Sequence, residues 1–225
     1  MLNTYFLLFI IYSFIGWLGE IALSIIVNKK FVDRGFLMGP WCPIYGCGCL
    51  LLIILLSKYN NEPFALFALA MIICSILEYL TSWILEVIFK MHWWDYSNEK
   101  FNINGRICLE YMVPFGIVGV LVVKYINPII LNLLCKIPST IFNILTVILA
   151  GIFIIDLIIS SNIMFNLKSF VTDSKKDSTE DIKKQIKKNV KEYKLLYTRL
   201  INAFPNFKKI VHNPIKKKKN KKSKK

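Results

Sequence analysis

The sequence predicts an all-α fold: a polytopic helical membrane protein with about five transmembrane helices, followed by a cytoplasmic amphipathic helix and a disordered basic tail. Three observations carry this reading. The 225 residues are 55% hydrophobic and 14% aromatic, with a mean hydropathy of +0.50. Their apolar residues gather in runs long enough to cross a bilayer, which a one-core soluble domain of this length would not contain. The charge is also divided. Residues 1–167 hold 9 Lys and Arg against 9 Asp and Glu, whereas residues 168–225 hold 20 against 5, so the whole net charge of +15 follows the last apolar run. The chain therefore divides into a transmembrane helical domain, 1–167, and a cytoplasmic basic helix and tail, 168–225.

The first span is expected over 5–27, apolar apart from Ser13, Glu20 and Ser24. It lacks the positive region and small-residue cleavage site of a signal peptide, so it is expected to be retained. The second span, 41–57, is entered through Pro40 and Pro43. Proline fits a first helical turn but not a helix interior, which predicts an irregular start. The third span, 64–89, follows a short polar turn, and a long polar loop then runs through Asn104. A fourth span is expected over 106–125 and a fifth over 139–165. Between them, 126–137 is apolar but too short to cross, and is expected at the interface.

Basic residues set the orientation. With the C-terminal tail inside and five crossings, the N-terminus lies outside. Lys29, Lys30, Arg34, Lys90, Lys100 and Arg106 are then inside, against Lys58, Lys124 and Lys136 outside. The predicted location is the plasma membrane.

In the tail, Ser178-Thr179-Glu180-Asp181 has the form of a helix start, with acids near the positive end of the dipole. Ile182, Ile186, Val190, Tyr193, Tyr197 and Leu200 then make one apolar stripe on a Lys-rich helix. The lysines of 216–225 repel one another and predict disorder. Anionic inner-leaflet lipid is the expected partner, at about 1 kcal/mol per Lys near the surface. Nucleic acid is not expected, because no aromatic or groove-reading element accompanies the run.

Chemistry is sought among ionisable groups in the spans, each costing about 2.5–3.5 kcal/mol on insertion scales unless paired or wet. Glu20, Glu78, Glu86, Arg106, Glu110 and Asp156 lie in or at the ends of spans. Ser75, Glu78, Ser82 and Glu86 step by three, four and four, which places them on one helix face. Ser13, Gly16, Glu20 and Ser24 do the same on the first span. Arg106 and Glu110, four apart, could pair with each other, while Asp156 and Ser160 mark a polar face of the fifth. The expected substrate or ion path comprises Glu20, Arg34, Glu78, Ser82, Glu86, Asp95, Arg106, Glu110 and Asp156, opening to the cell interior. No Ser–His–acid or Cys–His set is apparent, so no catalytic residue is assigned. The six cysteines form no Cys-x-x-Cys pair, and with only His92 and His212 beside them no metal site is supported.

Two loops carry the remaining distinctive residues. One holds Arg34, Gly35, Gly39 and Pro40 and continues through Pro43 and Tyr45; the other holds Trp93, Trp94, Asp95, Tyr96, Gly105 and Arg106. Glycine and proline fix unusual backbone there, and the arginines offer forked donors for carboxylate or phosphate. The plainer alternatives are interfacial aromatic anchoring for the tryptophans and positive-inside topology for the arginines. Arg-Gly-Phe-Leu-x-Gly-Pro at 34–40, Pro-Ile-Tyr-Gly at 43–46, Glu-Tyr-Leu-Thr-Ser at 78–82, Trp-Trp-Asp-Tyr-Ser at 93–97 and Phe-Asn-x-x-Gly-Arg at 101–106 resemble the ABC-transporter type IV permease family of small bacterial membrane proteins. The resemblance covers about 5–125, with Asp33 where the family has asparagine, and leaves out the tail.

The resemblance implies a permease subunit and names no substrate. The 225 residues contain no Gly-x-x-x-x-Gly-Lys-Ser/Thr loop, so no cofactor is expected in this chain and ATP would act only through a separate ATPase subunit. Five spans are few for a pore, which predicts a homo- or hetero-oligomer. Two other functions fit the residues: an intramembrane enzyme acting on a lipid or phosphorylated substrate, and a non-catalytic scaffold whose polar groups only lock helices together. The resemblance places the permease first.

Overall fold

The computed structural model describes residues 1–29, 35–89 and 93–173, without the side chains of 27, 28 and 166–173. Arg34, the amphipathic tail helix and the terminal lysine run lie outside the described residues.

Six helices form the described chain: α1 (Leu2–Asn28), α2 (Pro43–Leu56), α3 (Pro63–Phe89), α4 (Leu109–Leu121), α5 (Asn127–Cys135) and α6 (Ser139–Asp173). Four stretches are long and apolar enough to cross a membrane: α1, α3, the continuous rod from α4 through α5, and α6. At 1.5 Å per residue, the 27 residues of α1 or α3 reach about 40 Å, more than the hydrocarbon core of a bilayer. The protein is thus an all-α polytopic membrane protein.

The second helix is different. α2 has 14 residues, about 21 Å, and a 3-10 turn at Ser57–Tyr59 prolongs it. It is short because it begins deep in the bundle. The Cys42 amide donates to the Ser13 carbonyl at 2.9 Å, close to the midpoint of α1. From there α2 runs antiparallel to α1, with Ile53 packed among Leu7, Leu8 and Tyr12. Residues 35–42 fill the remaining depth of this layer as irregular chain. Pro43 sits in the first turn of α2, where its missing N–H costs nothing. Irregular backbone at this depth is tolerated only inside protein, and Leu37 and Trp41 are buried accordingly.

Small residues allow the close approach of α1 and α2. A Cβ on Gly16 would fall on the Tyr45 side chain, and one on Gly46 would meet the Phe9 carbonyl oxygen at 2.6 Å and the Ser13 hydroxyl. Gly46→Val is therefore expected to destabilise the protein by about 1–3 kcal/mol through overpacking. Gly19, which has open space where a Cβ would stand, should accept valine without that loss. Thermal melting of the two variants in detergent checks the contrast.

The fourth span departs from expectation at both ends. It starts at Leu109 rather than 106, because Asn102–Ile103 and Ile107–Cys108 pair as the antiparallel strands β1 and β2. Gly105, at φ +66°, makes the turn between them. At the far end, 126–137 is not a separate interfacial segment. A π turn over Val122–Ile126 joins α4 to α5 without a break. Pro128 has no amide hydrogen, and its ring would press on the carbonyl of residue 124 in a regular helix; the wider turn relieves that clash. α4 packs along α3, with Gly119 against Ala70 and Gly116 against the Phe67 ring.

α6 runs beside α1 with its axis in the same direction. Asn3 donates to Asn143 at 2.9 Å, and Phe9 meets Phe153 edge-on at 5.3 Å. Much of its apolar surface is left exposed.

Candidate functional site in the polar core

The polar core forms where α1, α2 and α3 meet the loop before α4. Ser75, Glu78 and Ser82 are buried on one face of α3, as steps of three and four residues require. Ser75 is satisfied locally by donating to the Met71 carbonyl at 2.7 Å. Glu78 is only 7% exposed, and its Oε1 accepts the Tyr96 hydroxyl at 3.2 Å. Its Oε2 and the Ser82 hydroxyl are buried with no hydrogen-bond partner among the described residues. On α1, Glu20 accepts the Tyr45 hydroxyl at 2.5 Å. Glu20 lies within electrostatic reach of Glu78, and Tyr45 within reach of both. Among the described residues, no basic side chain pairs with or donates to either carboxylate. Two acids and two phenols thus converge without a compensating cation among the described residues.

Each phenol is delivered by one of the two loops. Tyr45 belongs to the first turn of α2, so the deep start of that helix is what brings it to Glu20. Tyr96 is held by a tightly bonded turn. Its amide donates to the Gly105 carbonyl at 2.8 Å, and its ring stacks on Tyr111 at 4.7 Å. Asp95 accepts the amide and hydroxyl of Ser97, Asn102 accepts the Gly105 amide, and the Trp94 indole donates to the Arg106 carbonyl. Burial, and then the neighbouring Glu78, push the Tyr96 phenol far above its ordinary range, so it remains a donor.

Glu86 and Arg106 form a separate ion pair. The Arg106 guanidinium also lies 5.3 Å from the centre of the Tyr79 ring, and Asn104 donates to the Tyr79 hydroxyl at 2.8 Å. The pair lines a cavity of about 210 Å³ with Trp83 and Val87. Arg106 does not pair with Glu110. It stands in the hairpin before α4, whereas Glu110 is exposed in the first turn of that helix, where the dipole favours an acid.

Asp156 stands apart from Glu20 and Glu78. From α6 it accepts the amides of Met38 and Gly39 at 3.0 and 2.8 Å, the Trp41 indole at 2.9 Å and the Ser160 hydroxyl at 3.1 Å. It therefore anchors the irregular segment 35–42. Gly39 is needed there, since a Cβ would stand 2.9 Å from the Asp156 carboxylate and against the Trp41 indole. Gly35 is buried and Pro40 half-buried in the same segment. Trp93 packs with Phe36 and Phe89, with ring centres 5.5–6.1 Å apart, so the two motif-bearing loops meet at these aromatics.

The path residues read from sequence, apart from Arg34 outside the described residues, thus separate four ways. Glu20, Glu78 and Ser82 come together with the loop residues Tyr45 and Tyr96. Glu86 and Arg106 form their own pair. Asp95 and Asp156 hold loops, and Glu110 is exposed. Sequence reasoning missed Trp41, Tyr79 and Tyr111 as partners. The one signal for Trp41 is its place between Pro40 and Pro43, which forces extended chain beside an apolar helix. No group of three or more His, Cys, Asp or Glu among the described residues could hold a metal ion.

A helical bundle that spans the membrane, keeps acids in its core and carries an irregular segment at depth belongs among the polytopic membrane proteins. The model of the family described as "Putative ABC-transporter type IV" matches residues 7–161, more than half of the chain, and the chain belongs to that family. The match extends past the motif-bearing loops to include Asp156 and α6 as far as residue 161. No curated protein and no solved structure matches the chain.

Proposed function

We propose that this chain is the membrane-embedded permease subunit of an ATP-driven transport system, with a substrate path that passes Glu20, Tyr45, Glu78, Ser82 and Tyr96. The observation that carries this reading is the buried Glu78 oxygen that, among the described residues, has no partner, with the equally unpartnered Ser82 hydroxyl on the same helix face and a second carboxylate nearby. An unsatisfied polar group in a low-dielectric core costs about 1–3 kcal/mol, more when charged, and helix packing alone gives no reason to keep two of them. Acids without a basic partner among the described residues favour a cation or a cationic solute over an anion.

In the orientation set by the basic residues, the C-terminal tail is cytoplasmic and the N-terminus external. The polar core then lies toward the cytoplasmic half of a plasma-membrane protein, with the Trp93–Arg106 turn at its inner mouth. ATP hydrolysis falls to a separate subunit, because the 225 residues hold no phosphate loop. That subunit would grip the inner loops, while the lysine-rich tail rests on anionic lipid. Purification of the full chain from its native membrane in mild detergent tests the assembly. The expected result is recovery of an ATPase subunit with it, together with reduced uptake of a cationic solute when the gene is deleted. A lone chain with no uptake defect would end the reading.

A further inference from the structure

We propose that Glu78 is a proton-carrying carboxyl, which takes up and gives back one proton in partnership with Glu20. Its role in coupling rests on the transport path above, whereas protonation itself rests on the geometry of the core. Groups from each packed element face it: Glu20 from α1, Tyr45 from α2, Cys74 from α3 itself, Tyr96 from the loop and, behind Tyr96, Tyr111 from α4. Among the described residues all are acids, phenols or thiols, and none supplies positive charge. Two carboxylates in one low-dielectric site oppose each other's ionisation, so the pair is most stable with one proton between them.

The oxygen supply selects a proton over a metal cation. Sodium sites at membrane depth draw on carbonyls released by an unwound helix. α3 is continuous from Pro63 to Phe89, so the carbonyls around Glu78 remain tied in the helix. Among the described residues, α3 leaves free one carboxylate oxygen and the Ser82 hydroxyl, too few to replace an ion's hydration shell but sufficient for a carboxylic acid O–H. The step conserves charge. The Glu78 acid gives its proton through water to the Glu20 carboxylate, and Glu20, which is less deeply buried, passes it on to water. Tyr45 and Tyr96 keep their own protons and orient the two carboxylates as donors.

The test uses the full chain reconstituted in liposomes and followed by infrared spectroscopy, with sodium-free potassium buffer as the starting condition. A protonated carboxylic acid band is expected near neutral pH in the unaltered protein. It should be lost in Glu78→Gln and retained in Glu86→Gln, whose carboxylate belongs to the pair with Arg106. Replacing potassium by sodium should leave its pH titration unchanged. Absence of the band, its persistence in Glu78→Gln, or its displacement by sodium would each overturn the proton site. Because the measurement needs no transport, the two readings fail separately. The band in a chain that recruits no ATPase keeps the proton and removes the permease; ATP-driven uptake without the band does the reverse.

Discussion

Asp156→Ala is expected to be the most destabilising single substitution in the described chain. It leaves the Gly39 amide and the Trp41 indole without their acceptor in the interior, and reduces the Met38 amide to its 3.1 Å bond with the Ser160 hydroxyl. Each buried donor stranded in this way costs about 1–3 kcal/mol, which gives a combined loss of about 3–5 kcal/mol once partial relaxation is allowed. The loss should reach further than α6. Asp156 fixes residues 35–42, that segment sets where α2 begins, and α2 carries Tyr45 to Glu20. Asp156→Asn keeps one acceptor oxygen and should lie between the two, while Trp41→Phe removes one donor and should cost only about 1–2 kcal/mol. Thermal melting in detergent, with the three variants in that order of severity, checks the prediction. Equal melting temperatures for Asp156→Ala and the unaltered chain would show that the segment is held by something else.

The second large effect has the opposite character. Glu78→Gln is expected to reduce uptake to background while leaving the protein at least as stable as before. The carboxylate is buried with one oxygen unsatisfied, so the native residue is a liability to the fold. Replacing a carboxyl that already holds a proton by an amide of the same shape keeps the acceptor for Tyr96 and removes the cost of any ionisation, so no loss of stability is expected. Glu78→Leu removes both oxygens but leaves the Tyr96 hydroxyl without its acceptor, so it should be the less stable of the two variants. A residue retained at a cost in stability and needed for activity is the pattern of a functional site. Uptake assays in cells paired with melting curves of the purified variants measure both halves. Strong destabilisation by Glu78→Gln with a proportionate fall in uptake would mean that Glu78 serves packing.

The long helices were legible because an apolar run of about twenty residues has few alternatives to a membrane helix. The polar face of α3 was legible for a similar reason: Ser75, Glu78 and Ser82 keep helical spacing, and spacing alone decides which side chains share a face. The limits were set by long-range contacts. Nothing local to residues 35–42 reveals that their amides are met by a carboxylate some 117 positions away. The prolines at 40 and 43 did signal an irregular start, but the depth of that start depends on Gly46 fitting against Phe9 and Ser13. The length of 126–137 misleads in the other direction. Taken alone it is too short to cross and implies a separate interfacial segment, whereas a π turn carries the helix through. Arg106 was read as helical and matched to Glu110 by spacing; the hairpin at 102–108 withdrew it from the helix and gave it to Glu86.

The polar core depends above all on the deep start of α2, which brings Tyr45 to Glu20. The direct measurement is a short thiol-to-thiol cross-link between the native Cys42 and a cysteine placed at Ser13 or at Ser24, with the other five cysteines replaced. Ser13 and Ser24 lie eleven residues apart on α1, about 16 Å along its axis. The Cys42 amide bonded to the Ser13 carbonyl predicts a cross-link with Ser13→Cys and none with Ser24→Cys. A cross-link to Ser24→Cys alone would place the start of α2 near the membrane surface and contradict the arrangement of the core.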